Sequence, residues 1–84
     1  MPPVEITIDI TSTVFPYVQI ANQLREAIAK GEITDVVPSL WDIANDVGVS
    51  YNTARRAMKI LKDEGLVEAV PGRGTFVRRR EGGQ

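Results

Sequence analysis

Ser39-Leu40-Trp41-Asp42-Ile43-Ala44-Asn45-Asp46-Val47-Gly48-Val49-Ser50-Tyr51-Asn52-Thr53-Ala54-Arg55-Arg56-Ala57-Met58-Lys59-Ile60-Leu61-Lys62-Asp63-Glu64-Gly65 is the stretch that decides the fold. Ser39 is placed to cap a helix over 39–47, with Asp42 three residues on to complete a capping box. Leu40, Ile43, Ala44 and Val47 recur at helical spacing and form its apolar face. Gly48 stops it. After the link Gly48-Val49-Ser50, Ser50 caps a further helix over 50–64, closed by Gly65. Two helices joined by so short a turn carry the helix-turn-helix signature, although a plain αα-corner in a bundle has the same spacing. Ala44, Gly48 and Ala54 are small where the two helices are expected to cross.

Working outward, Leu66-Val67-Glu68-Ala69-Val70 and Thr75-Phe76-Val77-Arg78 are strand-like, and Pro71-Gly72-Arg73-Gly74 between them is a turn. A hairpin over 66–79 directly after a helix-turn-helix is the winged-helix arrangement. Arg73 is then carried at the wing tip, where a base suits phosphate or minor-groove contact. The same hairpin also serves to complete the core. Upstream, Tyr17, Ile20, Ala21, Leu24, Ala27 and Ile28 repeat at three and four residues, which predicts an amphipathic helix over 16–30. Pro16 opens it and Gly31 ends it. Gln19, Asn22, Gln23, Arg25, Glu26 and Lys30 fill its outer side. Before it, Val4, Ile6, Ile8 and Ile10 alternate with Glu5, Thr7 and Asp9, the period of a strand over 4–11 with one buried face. The fold expected is therefore α+β: three helices, a carboxy-terminal β-hairpin wing and an amino-terminal strand, in one domain spanning 1–84 and ending in a tail over 80–84.

Composition narrows the chemistry. The 84 residues contain no Cys and no His, which removes disulfides, zinc thiolate sites, Cys nucleophiles and the usual general base. Neither catalysis nor a metal or other cofactor is expected. No apolar run approaches the roughly 18 residues of a membrane span, and the Met1-Pro2-Pro3 start is unlike a signal peptide. The expected location is the bacterial cytoplasm, in association with the nucleoid. The net charge of −1 hides an asymmetry. Arg25 and Lys30 stand against seven acids in residues 1–47, for a charge of −5. Residues 48–84 hold Arg55, Arg56, Lys59, Lys62, Arg73, Arg78, Arg79 and Arg80 against four acids, for +4. Such a division suggests a surface for a polyanion, or else a chance excess of solvated charge.

On the 50–64 helix, at about 100° per residue, Ala54, Ala57, Met58, Ile60 and Leu61 gather on the core side. Asn52, Arg55, Arg56, Lys59 and Asp63 take the opposite arc, with Lys62 at its edge. Tyr51 and Asn52 occupy the first turn, the part of a recognition helix that reaches base edges. Asn52 suits adenine and Arg55 suits the O6 and N7 of guanine, each pair worth about 1–3 kcal/mol of discrimination. Arg56 and Lys59 lie later, where phosphate contact is expected. The bland alternative is a solvated face with charge pairing four residues apart. Trp41 lies on the rim of its helix, placed to stack on a sugar, to pack on a thymine methyl, or to cover the loop before it; the loop is the expected neighbour.

These residues resemble the GntR-type bacterial transcription regulators in their amino-terminal DNA-binding domain. The matching pieces are Pro16-Tyr17-Val18-Gln19-Ile20, Leu24-Arg25-Glu26-Ala27-Ile28, Lys30-Gly31-Glu32-Ile33, Pro38-Ser39, Ile43-Ala44 and Val47-Gly48-Val49-Ser50. They continue through Thr53, Arg55, Glu64-Gly65-Leu66-Val67 and Pro71-Gly72-Arg73-Gly74-Thr75-Phe76-Val77. The segment ending Ile8-Asp9 is similar to the family's short branch, and the sequence is expected to lack the effector domain. The resemblance implies a winged-helix homodimer on an inverted-repeat operator in double-stranded DNA, usually as a repressor. It carries roles to Ser50, Thr53, Arg55, Gly72 and Arg73. The sequence also departs from the family: Trp41 and Tyr51 stand where arginines are usual, Leu40 replaces an acid, and the loop from Ile33 to Pro38 is shorter and lacks Pro-Gly. The operator is therefore expected to differ from the family's common one.

The candidate DNA-contacting set is Ser39 and Trp41 on the 39–47 helix, then Ser50, Tyr51, Asn52, Thr53, Arg55, Arg56 and Lys59 on the 50–64 helix. Gly72, Arg73, Gly74 and Thr75 add the wing. Arg78, Arg79 and Arg80 either extend this footprint or form a solvated tail. The function expected is sequence-specific transcription regulation by promoter occlusion. A small architectural or recombination accessory protein would use the same residues, and a winged helix turned to protein contact would use Leu40 and Trp41.

Overall fold

Three helices and a hairpin follow one another in a computed structural model that describes residues 5–78. Val4, Arg79, Arg80 and the tail expected over 80–84 lie outside the described residues. Helix α1 is Pro16–Ala29, α2 is Leu40–Val47 and α3 is Tyr51–Asp63. Strands β1, Val67–Val70, and β2, Gly74–Val77, pair antiparallel with Val67 opposite Val77 and Val70 opposite Gly74.

The caps explain where the helices begin. Ser39 Oγ accepts the Asp42 amide at 3.1 Å, and Ser50 Oγ accepts the Thr53 amide at 3.1 Å. Each satisfies one of the donors left open in a first helical turn. Only the forward half of the expected capping box forms at α2; the aspartate side chain is shorter than the glutamate that usually closes the box. Pro16 opens α1 without a side-chain cap, since its missing N–H is one of the open donors anyway.

Gly48 does something other than allow a close crossing. A Cβ built on it would meet nothing within 4 Å, but its φ of +84° lies in the left-handed region. It ends α2 and turns the chain into α3. Ala44 and Ala54, at 8% and 0% exposure, are the small residues that the packing uses. In the wing, Arg73 N–H closes on Val70 C=O at 2.9 Å across Pro71-Gly72, with Gly72 at φ +78°. Proline followed by a positive-φ glycine is the chemistry of a type II turn.

The core joins Ile20, Ala21, Leu24 and Ala27 of α1 to Ile43 and Ala44 of α2 and Ala54, Ala57, Met58 and Leu61 of α3, with Ile33, Val37 and Val67 closing it. The apolar faces read from helical spacing are thus the buried ones, with Tyr17, Ile28, Leu40, Val47 and Ile60 half-buried at their margins. No side chain of the core is polar among the described residues.

Two features differ from the sequence reading. Of the strand expected over 4–11, the described residues 5–9 form an arm outside any sheet whose partner is a helix, and the chain turns from Ile10 onward. The side-chain amide of Gln23 accepts from Thr7 N–H at 3.0 Å and donates to Thr7 C=O at 2.7 Å. Gln19 does the same for Asp9, at 2.8 and 3.1 Å. Glutamines four apart on α1 stand in for the neighbouring strand, so Ile6 and Ile8 are half-buried without joining a sheet, while Ile10, expected on the same face, is 90% exposed where the chain turns. The second feature is a bridge between Val36 and Phe76, with Val37 N–H donating to Thr75 C=O and Val77 N–H to Asp35 C=O. It ties the loop before α2 to the free edge of β2.

Arg25 on α1 reaches Glu64 at the end of α3 through two parallel bonds, Nε to Oε1 at 2.8 Å and Nη2 to Oε2 at 2.7 Å; its Nη1 donates to Asn22. The hydrogen bonds from Arg25 hold the Glu64 carboxyl below its ordinary pKa. Among the described residues, no helix is long and apolar enough to cross a membrane, and no cluster of carboxylates is placed to hold a metal ion.

Gly48→Ala should lower stability by about 1–2 kcal/mol, the strain of a Cβ in the left-handed region, read as a fall in thermal midpoint of about 4–8 °C per kcal/mol. Gly48→Asn should lose less, because asparagine tolerates that conformation; equal midpoints for Gly48→Ala and wild type would contradict the assignment. Because the Glu64 pKa is lowered on folding, its contribution is present above the unfolded carboxylate pKa, about 4.3, and is lost as pH falls through the lower folded value. Glu64→Gln should therefore reduce the midpoint at pH 7 and converge with wild type in acid. A gap that stays constant with pH would assign the loss to something other than the ion pair.

Candidate nucleic-acid interface

With one face of α3 in the core, the opposite arc is left to solvent. Asn52, Arg55, Arg56, Lys59, Lys62 and Asp63 are all exposed, as the 100° spacing requires. Their basic members differ in what they touch. Lys59 Nζ lies 3.0 Å from Asp63 Oδ2, four residues on, with both side chains well exposed. Such a pair is worth about 0.3–0.5 kcal/mol and is easily given up. Arg56 lies with its guanidinium 4.2 Å from the centroid of the Tyr17 ring. That ring stacks in turn on Phe15 at 6.0 Å. Arg56 is therefore held against the start of α1 by a cation–π contact, an anchor that the helical arc alone did not indicate. The ion pairs among the described residues use Arg25, Lys30 and Lys59. Arg55, Lys62 and Arg73 have no carboxylate partner there.

Two surface grooves organise most of the candidate residues. One is lined by Arg55, Arg56, Lys59, Lys62 and Asp63 along α3. The other runs between α2, the start of α3 and the wing, and brings Ser39, Trp41, Tyr51, Arg73, Gly74 and Thr75 together with Val36, Val37, Pro38 and Leu40 and with the carboxylates of Asp42 and Asp46. Asn52 is exposed in the first turn of α3 but lines neither groove. Thr53 is half-buried, its hydroxyl 3.0 Å from that of Ser50, so these two act as the helix cap and as each other's partners. Gly72 shapes the wing turn.

Trp41 shares a groove with Val36, Val37 and Pro38 of the loop before its helix. Its ring also lies beside that of Tyr51, with ring centroids 4.5 Å apart and planes inclined by 37°, and Trp41 remains 64% exposed. The role of Phe15 and Tyr17 in seating Arg56, and of Val36 in the second groove, were not anticipated. Tyr17 at the margin of the α1 apolar stripe was the available signal for the first. A single bridge at Val36 leaves no period to read.

A family model for bacterial regulatory proteins, gntR family, matches residues 16–77. The repressor YtrA of Bacillus subtilis is 36% identical over 74 residues, 86% of this chain and 57% of the relative. The GntR-family transcription factor YtrA from Sulfolobus acidocaldarius superposes with a TM-score of 0.82 at 37% identity, covering 90% of this chain and 82% of that one. The DNA-binding domain of AraR, solved in complex with its operator, superposes with a TM-score of 0.75 at 29% identity, covering 84% and 89%. The chain spans 27% to 57% of the length of three curated relatives it matches. With the helix-turn-helix, the wing and the intervening caps all in register over 16–77, the chain belongs to the GntR family of bacterial regulatory proteins.

Proposed function

We propose that this protein binds operator DNA sequence-specifically through α3 and the wing and regulates transcription, as a repressor that occludes a promoter. The observation that carries the reading is Arg55. It stands exposed on the outward arc of α3, without a carboxylate partner among the described residues, on a helix whose other face is locked into the core. A guanidinium so placed is prepared for bidentate contact with guanine O6 and N7. Asn52 lies one turn earlier, within reach of an adjacent base edge. Arg56, Lys59 and Arg73 supply phosphate contacts that set register, and Ser39, Ser50 and Thr53 present the helix starts to the backbone. Gly74 and Thr75 continue the wing edge. Membership of a regulator family, and the operator complex of a relative with this fold, support the same docking.

A single winged-helix module covers about 600–1,000 Å² of DNA-facing surface, small for a tight and selective complex. Two copies on an inverted repeat double that surface, so the working unit is a homodimer on DNA. In the cell this places the protein with the nucleoid in the cytoplasm. It carries out no catalysis and needs no cofactor.

In vitro selection of bound sequences should return a two-fold symmetric site. Arg55→Ala should abolish preference for that site over random DNA while leaving the thermal midpoint nearly unchanged; equal weakening on both DNAs would remove its base-reading role. Arg73→Ala should weaken all DNAs alike and flatten the slope of log K against log salt by about one unit, measured by titration at several salt concentrations. An unchanged slope would place Arg73 away from phosphate.

A further inference from the structure

Exposed apolar side chains are not scattered evenly over this protein. Of the large ones among the described residues, Val36, Trp41 and Tyr51, at 59%, 64% and 37% exposure, line one groove, and Arg73 and Thr75 of the wing form its other wall. Trp41 and Tyr51 already lie against each other with their planes tilted by 37°, so the ring pair is a preformed apolar platform that keeps exposed surface. Arg73 brings one positive charge to this groove and Asp42 and Asp46 bring two carboxylates, so charge alone does not draw a ligand into it. Position does: Tyr51 stands in the first turn of α3, beside Asn52 and one turn before Arg55 on the face proposed to meet DNA. In the major groove of DNA the apolar group offered beside the phosphates is the thymine 5-methyl.

We propose that the Trp41–Tyr51 pair is a specificity-determining subsite that reads thymine methyl groups at the edge of each half-site. It deepens the DNA-binding reading above and rests on it. The subsite complements Arg55: one contact selects guanine by hydrogen bonds, the other selects thymine by burying a methyl against the two rings. Deoxyribose contact by the same rings would be blind to that methyl, and the difference gives the test.

The operator returned by selection is resynthesised with deoxyuridine replacing thymidine at each position in turn, which removes only the 5-methyl group. Wild-type protein should lose affinity about fourfold for each contacted methyl, at one or two positions per half-site, and show no change elsewhere. Trp41→Ala, on an exposed rim where alanine favours the helix, should bind the thymidine and deoxyuridine operators equally, and Trp41→Phe should restore discrimination. Trp41 is the single tryptophan of the chain, so quenching of its fluorescence by operator reports whether the ring is covered. Specific binding with no thymidine–deoxyuridine difference, or with the same difference in Trp41→Ala, overturns the subsite and leaves the DNA-binding reading standing. Equal affinity for the selected and random DNAs overturns both.

Discussion

Helix α3 is the element on which the others rest: α1, α2 and β1 all pack against it. One helix must therefore be apolar enough to hold three neighbours and polar enough to present a charged face to solvent. Ala54 and Ala57, both fully buried, resolve the conflict, because methyl side chains let α1 and α2 come close without widening the apolar stripe. Leu61 and Met58 then fill the space beyond them. Each full burial of this kind contributes about 1.5–3 kcal/mol. The outward arc from Asn52 through Arg55 to Lys59 inherits its rigidity from this packing, which is what a recognition surface needs in order to act without first being ordered.

The same economy governs the parts that touch α3 less directly. The arm before α1 buries only the inner edges of Ile6 and Ile8, too little to order an isolated strand. It is ordered because Gln19 and Gln23 offer paired donor and acceptor groups at a spacing that matches alternate residues of an extended chain. The Arg25–Glu64 fork links the middle of α1 to the end of α3, while Arg56, midway along α3, rests on Tyr17 at the start of α1. The helix that carries the proposed base contacts is thus tied to α1 at two points. A tilt of α3 would have to break a bidentate ion pair or a cation–π contact.

What could be read from the sequence was whatever obeys a local rule. The three helices follow from apolar residues at three and four, from Ser39 and Ser50 as caps and from glycine at the ends, and the hairpin follows from Pro71-Gly72. Which side of α3 faces outward follows from the same arithmetic. What could not be read depends on partners distant in sequence. Period two places Ile6 and Ile8 on one half-buried side of the arm but fails at Ile10, where the chain turns, and nothing local says that glutamine side chains, counted among the solvated residues of α1, supply the partner. Gly48 looked like a packing residue because smallness and left-handed backbone both select glycine, and only φ separates them. The Trp41–Tyr51 contact joins residues ten apart on different helices, which no helical period indicates. Arg56 was grouped with Lys59 because the helical wheel records direction and says nothing of the Tyr17 ring that lies beside it.

Net charge is a poor guide to such a surface, and the pairing shows why. Near-neutrality over the chain arises from acids on the arm, α1 and α2, while Arg55, Lys62 and Arg73 stand without carboxylate partners among the described residues. Attraction to DNA is then confined to one side, and acids elsewhere oppose any other orientation of approach. A more basic protein would bind all DNA more tightly and would dilute its preference, since phosphate contact carries no sequence information. Bases without carboxylate partners on the outward side of a rigid helix and its wing are enough to orient the protein. The selective free energy must then come from groups that distinguish bases, and the side chains so equipped are Arg55, Asn52 and the Trp41–Tyr51 pair.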